Sequence, residues 1–270
     1  MAFGSPQTNK FKIGTCELRI GPLNLANKLL DSHSIGLIDS ATISINQESV
    51  DLEGGFPKKL VDTAIVRQTG EVTATLREYS RRNINTMLGN GVVSATTDVA
   101  TTLASGAIAG ATSVTVATGK GASFTTGDLI TIYPIGAPHQ VSVCRVLSVA
   151  TDTLTLDSGT PTLFAYSSGA VVFMSRPVAI GAITSTNYFA VMLVEKENST
   201  GRPIVWSFWK AAVASGMEVA TNADDFASTD MVLKLLEPAA SEYDTGGALE
   251  HLENIIPTHP IGLYAGGSDT

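Results

Sequence analysis

Between residues 63 and 76 the chain reads TAIVRQTGEVTATL, and its polar and apolar positions alternate. Thr63, Arg67, Thr69, Glu71, Thr73 and Thr75 share one parity; Ala64, Val66, Val72, Ala74 and Leu76 share the other. A period of two predicts a β-strand with one wet and one packed face. At ~3.3 Å per residue the segment spans roughly 45 Å, more than twice a common strand. Residues 41–50 (ATISINQESV) set Thr42, Ser44, Asn46 and Glu48 against Ile43 and Ile45, and so offer a partner of the same pattern. The two predict a long hairpin with one polar side, which suits a wall around water better than the centre of a compact enzyme. Between them, residues 51–62 (DLEGGFPKKLVD) read as a long connection, with Phe56 among Gly54, Gly55 and Pro57. Connections of that length are uncommon and usually serve a function or a partner.

The rest of the chain continues the β pattern. Residues 17–20 predict a short strand that runs into Gly21-Pro22, after a polar, extended N-terminal arm over 1–15. In residues 77–88 (REYSRRNINTML), Tyr79, Ile84, Met87 and Leu88 follow Leu76 at roughly helical spacing, and Gly89 supplies a stop. One amphipathic helix is predicted there, with Arg77, Arg81 and Arg82 on or near its wet side. From 105 to 175 charges thin out and Thr, Ser, Val, Ala and Gly dominate. Short strands are predicted at 113–117, 127–133, 141–150, 153–156 and 170–174, parted by turn signals such as Thr126-Gly127-Asp128 and Asp157-Ser158-Gly159. Such spacing points to a small β-barrel or sandwich. It reads as an insertion, because longer strands resume at 188–195, 203–212 and 230–237. In the second of these, Ile204, Trp206 and Phe208 alternate with Val205, Ser207 and Trp209, so both faces are expected to be buried. After Pro238 the chain reads as an extended arm with a short helix at 248–256. The expected organisation is a first domain in two parts, 1–104 and 176–270, interrupted by the β module at 105–175.

Composition narrows the function. The net charge of −8 argues against tight binding of nucleic acid through a basic patch. Cys16 and Cys144 match no zinc or CxxC spacing and fit inert thiols in a reducing cytoplasm. Residues 1–14 lack the apolar run of a signal peptide. The longest uncharged stretch, 99–119, is too polar to span a bilayer, so a soluble protein is expected.

Motifs for catalysis are thin. Asp157-Ser158-Gly159-Thr160 and Asp244-Thr245-Gly246 resemble aspartic-protease triplets, which need two carboxylates sharing a proton. Only the first follows an apolar strand, and Asp-Ser-Gly is also an ordinary turn sequence. Gly119-Lys120-Gly121 lacks the upstream Gly and the following Ser or Thr of a phosphate loop, and reads as a β-turn. His33, His139, His251 and His259 show no metal-ligand spacing. No nucleophile elbow is present in the sequence. The expectation is therefore no enzyme, no cofactor and no metal.

What stands out is architecture, and four stretches resemble the bacteriophage tail tube (major tail) proteins. GLIDSATISINQESVDLEGG (36–55) is similar to their first tube strand running into a stacking loop. TGEVTATLREYSRRNINTMLG (69–89) is similar to the second strand and the helix behind it. VWSFWKAAVASGMEVATNADDFASTDMVLKLLEP (205–238) resembles the closing segment, with Asp224-Asp225-Phe226 before the last strand. GATSVTVATGKGASFTTGDLITIY (110–133) is similar to small β domains that decorate some tube subunits.

The resemblance implies a mainly β fold: a tail-tube β-barrel or sandwich with one packed α-helix, a long hairpin and the inserted small β domain. The type VI secretion tube protein shares that architecture. It further implies hexameric rings stacked into a channel for genome delivery. Thr42, Ser44, Asn46, Glu48, Thr69, Glu71, Thr73 and Thr75 would line the lumen. Asp51, Glu53, Gly54, Gly55, Phe56, Pro57 and Lys58 would form an inter-ring loop. Implied partners are further copies of the chain, tail tip or baseplate, tape measure and terminator proteins, and DNA that passes without specific binding; no membrane is involved. The implied location is the virion tail, assembled in the bacterial cytoplasm. The alternative is a virion decoration or adhesin protein whose inserted domain binds a receptor or glycan.

Overall fold

The computed structural model describes residues 16–36, 38–91, 98–181, 186–196, 201–215 and 228–266. The N-terminal arm and Asp224-Asp225-Phe226 lie outside these residues. The chain is mainly β, in two curled antiparallel sheets. Its elements begin with β1 (Glu17–Pro22), β2 (Ile38–Gly54), β3 (Lys59–Leu76) and helix α1 (Arg81–Met87). Six short strands follow: β4 (Ala100–Thr102), β5 (Ser113–Thr115), β6 (Leu129–Tyr133), β7 (Ser142–Ala150), β8 (Thr153–Leu156) and β9 (Val171–Ser175). The chain closes with β10 (Phe189–Lys196), β11 (Pro203–Val213), β12 (Thr229–Leu236), a short helix α2 (Ala240–Tyr243) and β13 (Gly262–Ala265). Two compact units result, one from Met1–Ser94 with Ala179–Thr270, the other from Ala95–Val178. The second unit begins before the expected residue 105 because β4 pairs with β9. A strand of three residues leaves too little pattern to be read from sequence.

In the first unit the sheet order is β1-β10-β11-β12-β3-β2, with β13 on β11. The sheet curls, so that β1 and β3, far apart in that order, share one core. Leu18 and Ile20 meet Val72, Ala74, Leu76, Met231 and Leu233 there, with Met87 of α1 and Ile35 and Ile38. The opposite face of β10 and β11 is also covered. Ala190, Met192 and Trp209 pack with Ala26, Leu29, Leu249, Leu252 and Ile256. The two-sided burial expected of residues 203–212 is thus present.

The helix and the tail differ from expectation. Helix α1 covers only Arg81–Met87, because the Ser80 side chain accepts the Asn83 N–H and starts the helix there. Arg82 is not on a wet face: its guanidinium donates to the carbonyls of Ser32, Ser34 (3.3 Å) and Ile20 (3.0 Å), and burial lowers its pKa. The tail is no free arm. Residues 239–259 fold over the outer face, where His251 Nε2 bonds the Ala26 carbonyl (2.8 Å) and Trp209 donates Nε1–H to His259 O (2.6 Å). Lys210 reaches both carboxylate oxygens of Glu242 at 2.7 and 2.8 Å and lies 4.2 Å above the Tyr188 ring. The helix expected at 248–256 is a 3-10 turn at Glu250–Leu252 flanked by turns. Strand β13 then pairs with residues 205–208 of β11.

The second unit has the order β4-β9-β6-β7-β8-β5. A bridge between Leu103 and Val116 joins its two ends, with Ala104 N–H on Thr115 O (2.8 Å) and Ala117 N–H on Thr102 O (2.9 Å). The six strands close into a small barrel. β7 makes the corner, pairing with β6 through residues 142–145 and with β8 from Val146 onward. Val114, Val116, Phe124, Ile130, Ile132, Cys144, Val146, Leu154, Leu156 and Val172 fill the interior.

Candidate functional site

The long hairpin is the feature that the rest of its unit does not use up. β2 and β3 pair continuously from Ile38↔Leu76 to Gly54↔Lys59. The connection expected over 51–62 is therefore mostly strand, and only residues 55–58 make the turn. Asp51, Glu53 and Gly54 of the expected loop lie in β2; Gly55, Phe56, Pro57 and Lys58 form the tip. Sequence reading missed this because Val61 is an extra residue in β3, at the register shift opposite Leu52/Glu53; a second extra residue, Val66 opposite Glu48/Ser49, puts Thr63 on the other face from Arg67, so the alternation read over 63–76 holds only from Arg67 onward. Each bulge breaks the alternation that marks a strand.

Near its base the hairpin is a tail-less continuation of the sheet. Thr229, Met231, Leu233 and Leu235 of β12 stand opposite Leu76, Ala74, Val72 and Gly70, and these pack inward. The other face is polar. Thr42 faces Thr73, Ser44 faces Glu71, Asn46 faces Thr69 and Glu48 faces Arg67 across the β2–β3 pair. Asp230 and Lys234 of β12 extend the row beside Thr75 and Glu71. Thr75 donates to Asp230 at 2.6 Å and receives a bond from Ser40 at 3.3 Å. All eight expected wall residues lie on this one face, partly or fully exposed, and none is in the interior. Its charge is mixed rather than acidic, since Glu48 opposes Arg67 and Glu71 opposes Lys234. Lys234 and Asp230 were missed in the sequence, although they sit on the wet parity of 229–236.

Beyond Gly70, β12 ends and the hairpin continues with no further strand beside it among the described residues, and every residue of β3 from 59 to 68 is exposed. A hollow of about 480 Å³ marks the step, lined by Glu48, Arg67, Thr69, Glu71, Lys234 and Leu236 among others. Apolar side chains crowd the free end: Val50, Leu52, Leu60, Val61, Ile65 and Val66 are all more than half exposed, and Phe56 is 104% exposed. Exposed apolar side chains gathered on one ribbon in this number mark a contact site.

The candidate chemistry elsewhere resolves into local structure. Asp157 closes a turn, its Oδ1 accepting Gly159 N–H at 3.0 Å while Thr160 N–H bonds its carbonyl at 2.9 Å. Asp244 ends α2 and turns the chain toward Gly247. The two carboxylates belong to different compact units. Lys120 N–H bonds Ala117 O at 3.0 Å, so Gly119-Lys120 is in a β-turn. The Asp152 carboxylate accepts the N–H groups of Gly119 and Gly121 (2.9 Å each), which holds its pKa below the usual value. A Cβ on Gly121 would collide with the Thr151 carbonyl, so this turn needs glycine. Burial pushes the Cys144 thiol up to about 11, which leaves it inert, and Cys16 is half-buried. Among the described residues no group of three His, Cys, Asp or Glu forms a metal site. No helix among them is long and apolar enough to cross a membrane. No protein-family model matches the chain, and no curated protein matches it.

Proposed function

We propose that the chain is a structural subunit of a bacteriophage tail tube, forming hexameric rings that stack into the conduit for the genome. The observation that carries this reading is the hairpin. Its base presents one continuous polar face, and its outer half has more exposed apolar surface than its own unit can cover. A protein that acts alone gains nothing from such a ribbon, whereas a subunit in a symmetric assembly has neighbours to bury it. In this reading Thr42, Ser44, Asn46, Glu48, Thr69, Glu71, Thr73 and Thr75 line the lumen, and the opposed charges on that face keep it from holding phosphate. DNA then passes without specific binding. Residues 55–58 and the flanking Asp51, Glu53 and Gly54 meet the next ring. The subunit is not an enzyme and uses no cofactor; its partners are other copies and the proteins that start, measure and end the tube.

The test is electron microscopy of the purified protein over a concentration series. Rings or tubes with a central channel are the expected result. A protein that stays monomeric at high concentration overturns the proposal. One observation favours a second reading, a virion decoration protein whose inserted barrel binds a receptor or glycan: that barrel has its own closed core. Removing residues 95–178 separates the two, since a tube subunit retains assembly without the barrel.

A further inference from the structure

We propose that Asn90 is a self-modifying clasp: its side-chain amide closes the neck of the inserted barrel, and its own deamidation by the backbone nitrogen of Gly91 opens that neck for good. The inference goes beyond the tube reading and holds whether or not the chain builds a tube.

Three asparagines sew this neck. Helix α1 ends on Gly89, whose φ of +72° turns the chain so that Gly89 N–H meets Thr86 O (2.9 Å) and Asn90 N–H meets Asn85 O (3.0 Å). The chain then leaves for the barrel and re-enters the first unit at Ala179. Asn85 Nδ2 donates to Gly91 O at 2.7 Å, within the outgoing connection. Two more amides bridge the outgoing connection to the returning one. Asn90 Nδ2 donates to Ala179 O, and Asn187 Nδ2 donates to Gly89 O, each at 2.6 Å. Ala179 is exposed and Asn90 half-buried, so water reaches the first of these bridges.

Chemistry singles out Asn90. It is the one asparagine of the sequence that precedes a glycine. With no Cβ on the next residue, nothing shields that residue's backbone nitrogen from the asparagine carboxamide. Gly91 sits at φ +100°, and its N–H has no hydrogen-bond partner among the described residues. Once this nitrogen has given its proton to a base in solution, it bonds to Asn90 Cγ. The Cγ–Nδ2 bond breaks, ammonia leaves and a succinimide ring closes. Water then adds to one ring carbonyl, and the C–N bond at that carbon breaks. The product is aspartate, or isoaspartate with the chain rerouted through Cβ and Cγ. Asparagine and water have become an acid and ammonia, with no oxidant or cofactor.

The bond to Ala179 makes this step one-way. While it is closed, the carboxamide is held on residue 179, so the ring forms from the open clasp. Afterwards a carboxylate stands where the amide donated. It faces the Ala179 carbonyl as one acceptor before another, with no proton to share. The clasp cannot close again.

The test ages the full chain at neutral and at mildly alkaline pH, beside Asn90→Asp and Asn90→Gln variants and a urea-unfolded control. Peptide mass spectrometry follows the conversion of each asparagine. A nonspecific protease probes residues 88–91 and 179–181, and circular dichroism checks folding. Asn90 is expected to convert further than any other asparagine of the folded chain, and faster as pH rises. The aged chain and Asn90→Asp should be cut at the neck about tenfold faster than the fresh parent. Asn90→Gln, whose ring closes far more slowly, should be cut at the same rate before and after ageing. Conversion in urea with none in the folded chain overturns the proposal, because the clasp then stays shut. Conversion with no gain in cutting also overturns it, since Asn90 would not be holding the neck. So does an Asn90→Gln chain whose cutting rises with age as much as the parent's.

Discussion

The two units of this chain solve the same problem in opposite ways. Both are antiparallel sheets, and every such sheet begins with two unpaired edges. The barrel at Ala95–Val178 joins its ends through Leu103 and Val116, so its strands find partners within the unit. Among the described residues the first unit leaves β2 open and extends it with β3 into a ribbon past the end of β12. The comparison teaches that edge closure, and not strand content, separates a self-sufficient module from a component. A module can be inserted or removed; a component makes sense only with its neighbours.

Substitutions break or sharpen that contrast. The largest effect is expected in the first unit at Trp209, which is fully buried between the sheet and the folded tail. Trp209→Ala should cost about 3–5 kcal/mol. Calorimetry should show the first unit's transition falling while the barrel's stays in place; a common shift of both would mean that the units are not separate. Conversely, Ile132→Ala in the barrel core should cost about 2–5 kcal/mol and leave the first unit unchanged. A smaller loss, about 1–3 kcal/mol, is expected for Lys210→Met, which leaves the Glu242 carboxylate of the tail without its cationic partner. Limited proteolysis should then cut within 239–259 sooner than in the parent chain.

Acid provides a weaker lever on the barrel. The fold favours the charged form of Asp152, chiefly through Gly119 N–H and then Gly121 N–H. Its stabilisation is complete above the range of an unfolded aspartate and fades as pH falls through the lowered folded value. The barrel should therefore weaken below about pH 4, and Asp152→Asn should flatten that part of the pH profile. Least of all, Leu52→Ser with Leu60→Ser should change monomer stability by less than about 0.5 kcal/mol, because both sites are exposed. Their effect should appear only in assembly, as a lower sedimentation coefficient at equal concentration. A large loss of monomer stability would mean that the ribbon's tip packs within its own chain.

Sequence pattern reached the parts of the fold where one face is wet and the other dry. Residues 70–76 alternate without interruption, and β3 follows that alternation with its inward face on the core. The barrel strands at 153–156 and 171–175 were legible for the same reason, between turns rich in glycine and aspartate. Residues 51–62 of the outer hairpin were not, since both faces are exposed there and the bulge at Val61 interrupts the period. The polar row was read from Thr42 to Thr75, but its β12 members, Asp230 and Lys234, needed the register to bring them alongside. The tail misled for a different reason. Leu249, Leu252 and Ile256 bury through turns, which carry no period of their own.

Strand β11 shares one flank between two occupants, β12 along Lys210 to Val213 and β13 along Val205 to Phe208. The second of these acts as a stopper. Tyr264 clamps it by resting against Trp206, with ring centroids 4.5 Å apart. A protease that trimmed the chain just before Gly262 would unplug that flank and bare a new sticky ribbon next to Trp206. Indole fluorescence would report the loss before any unfolding began.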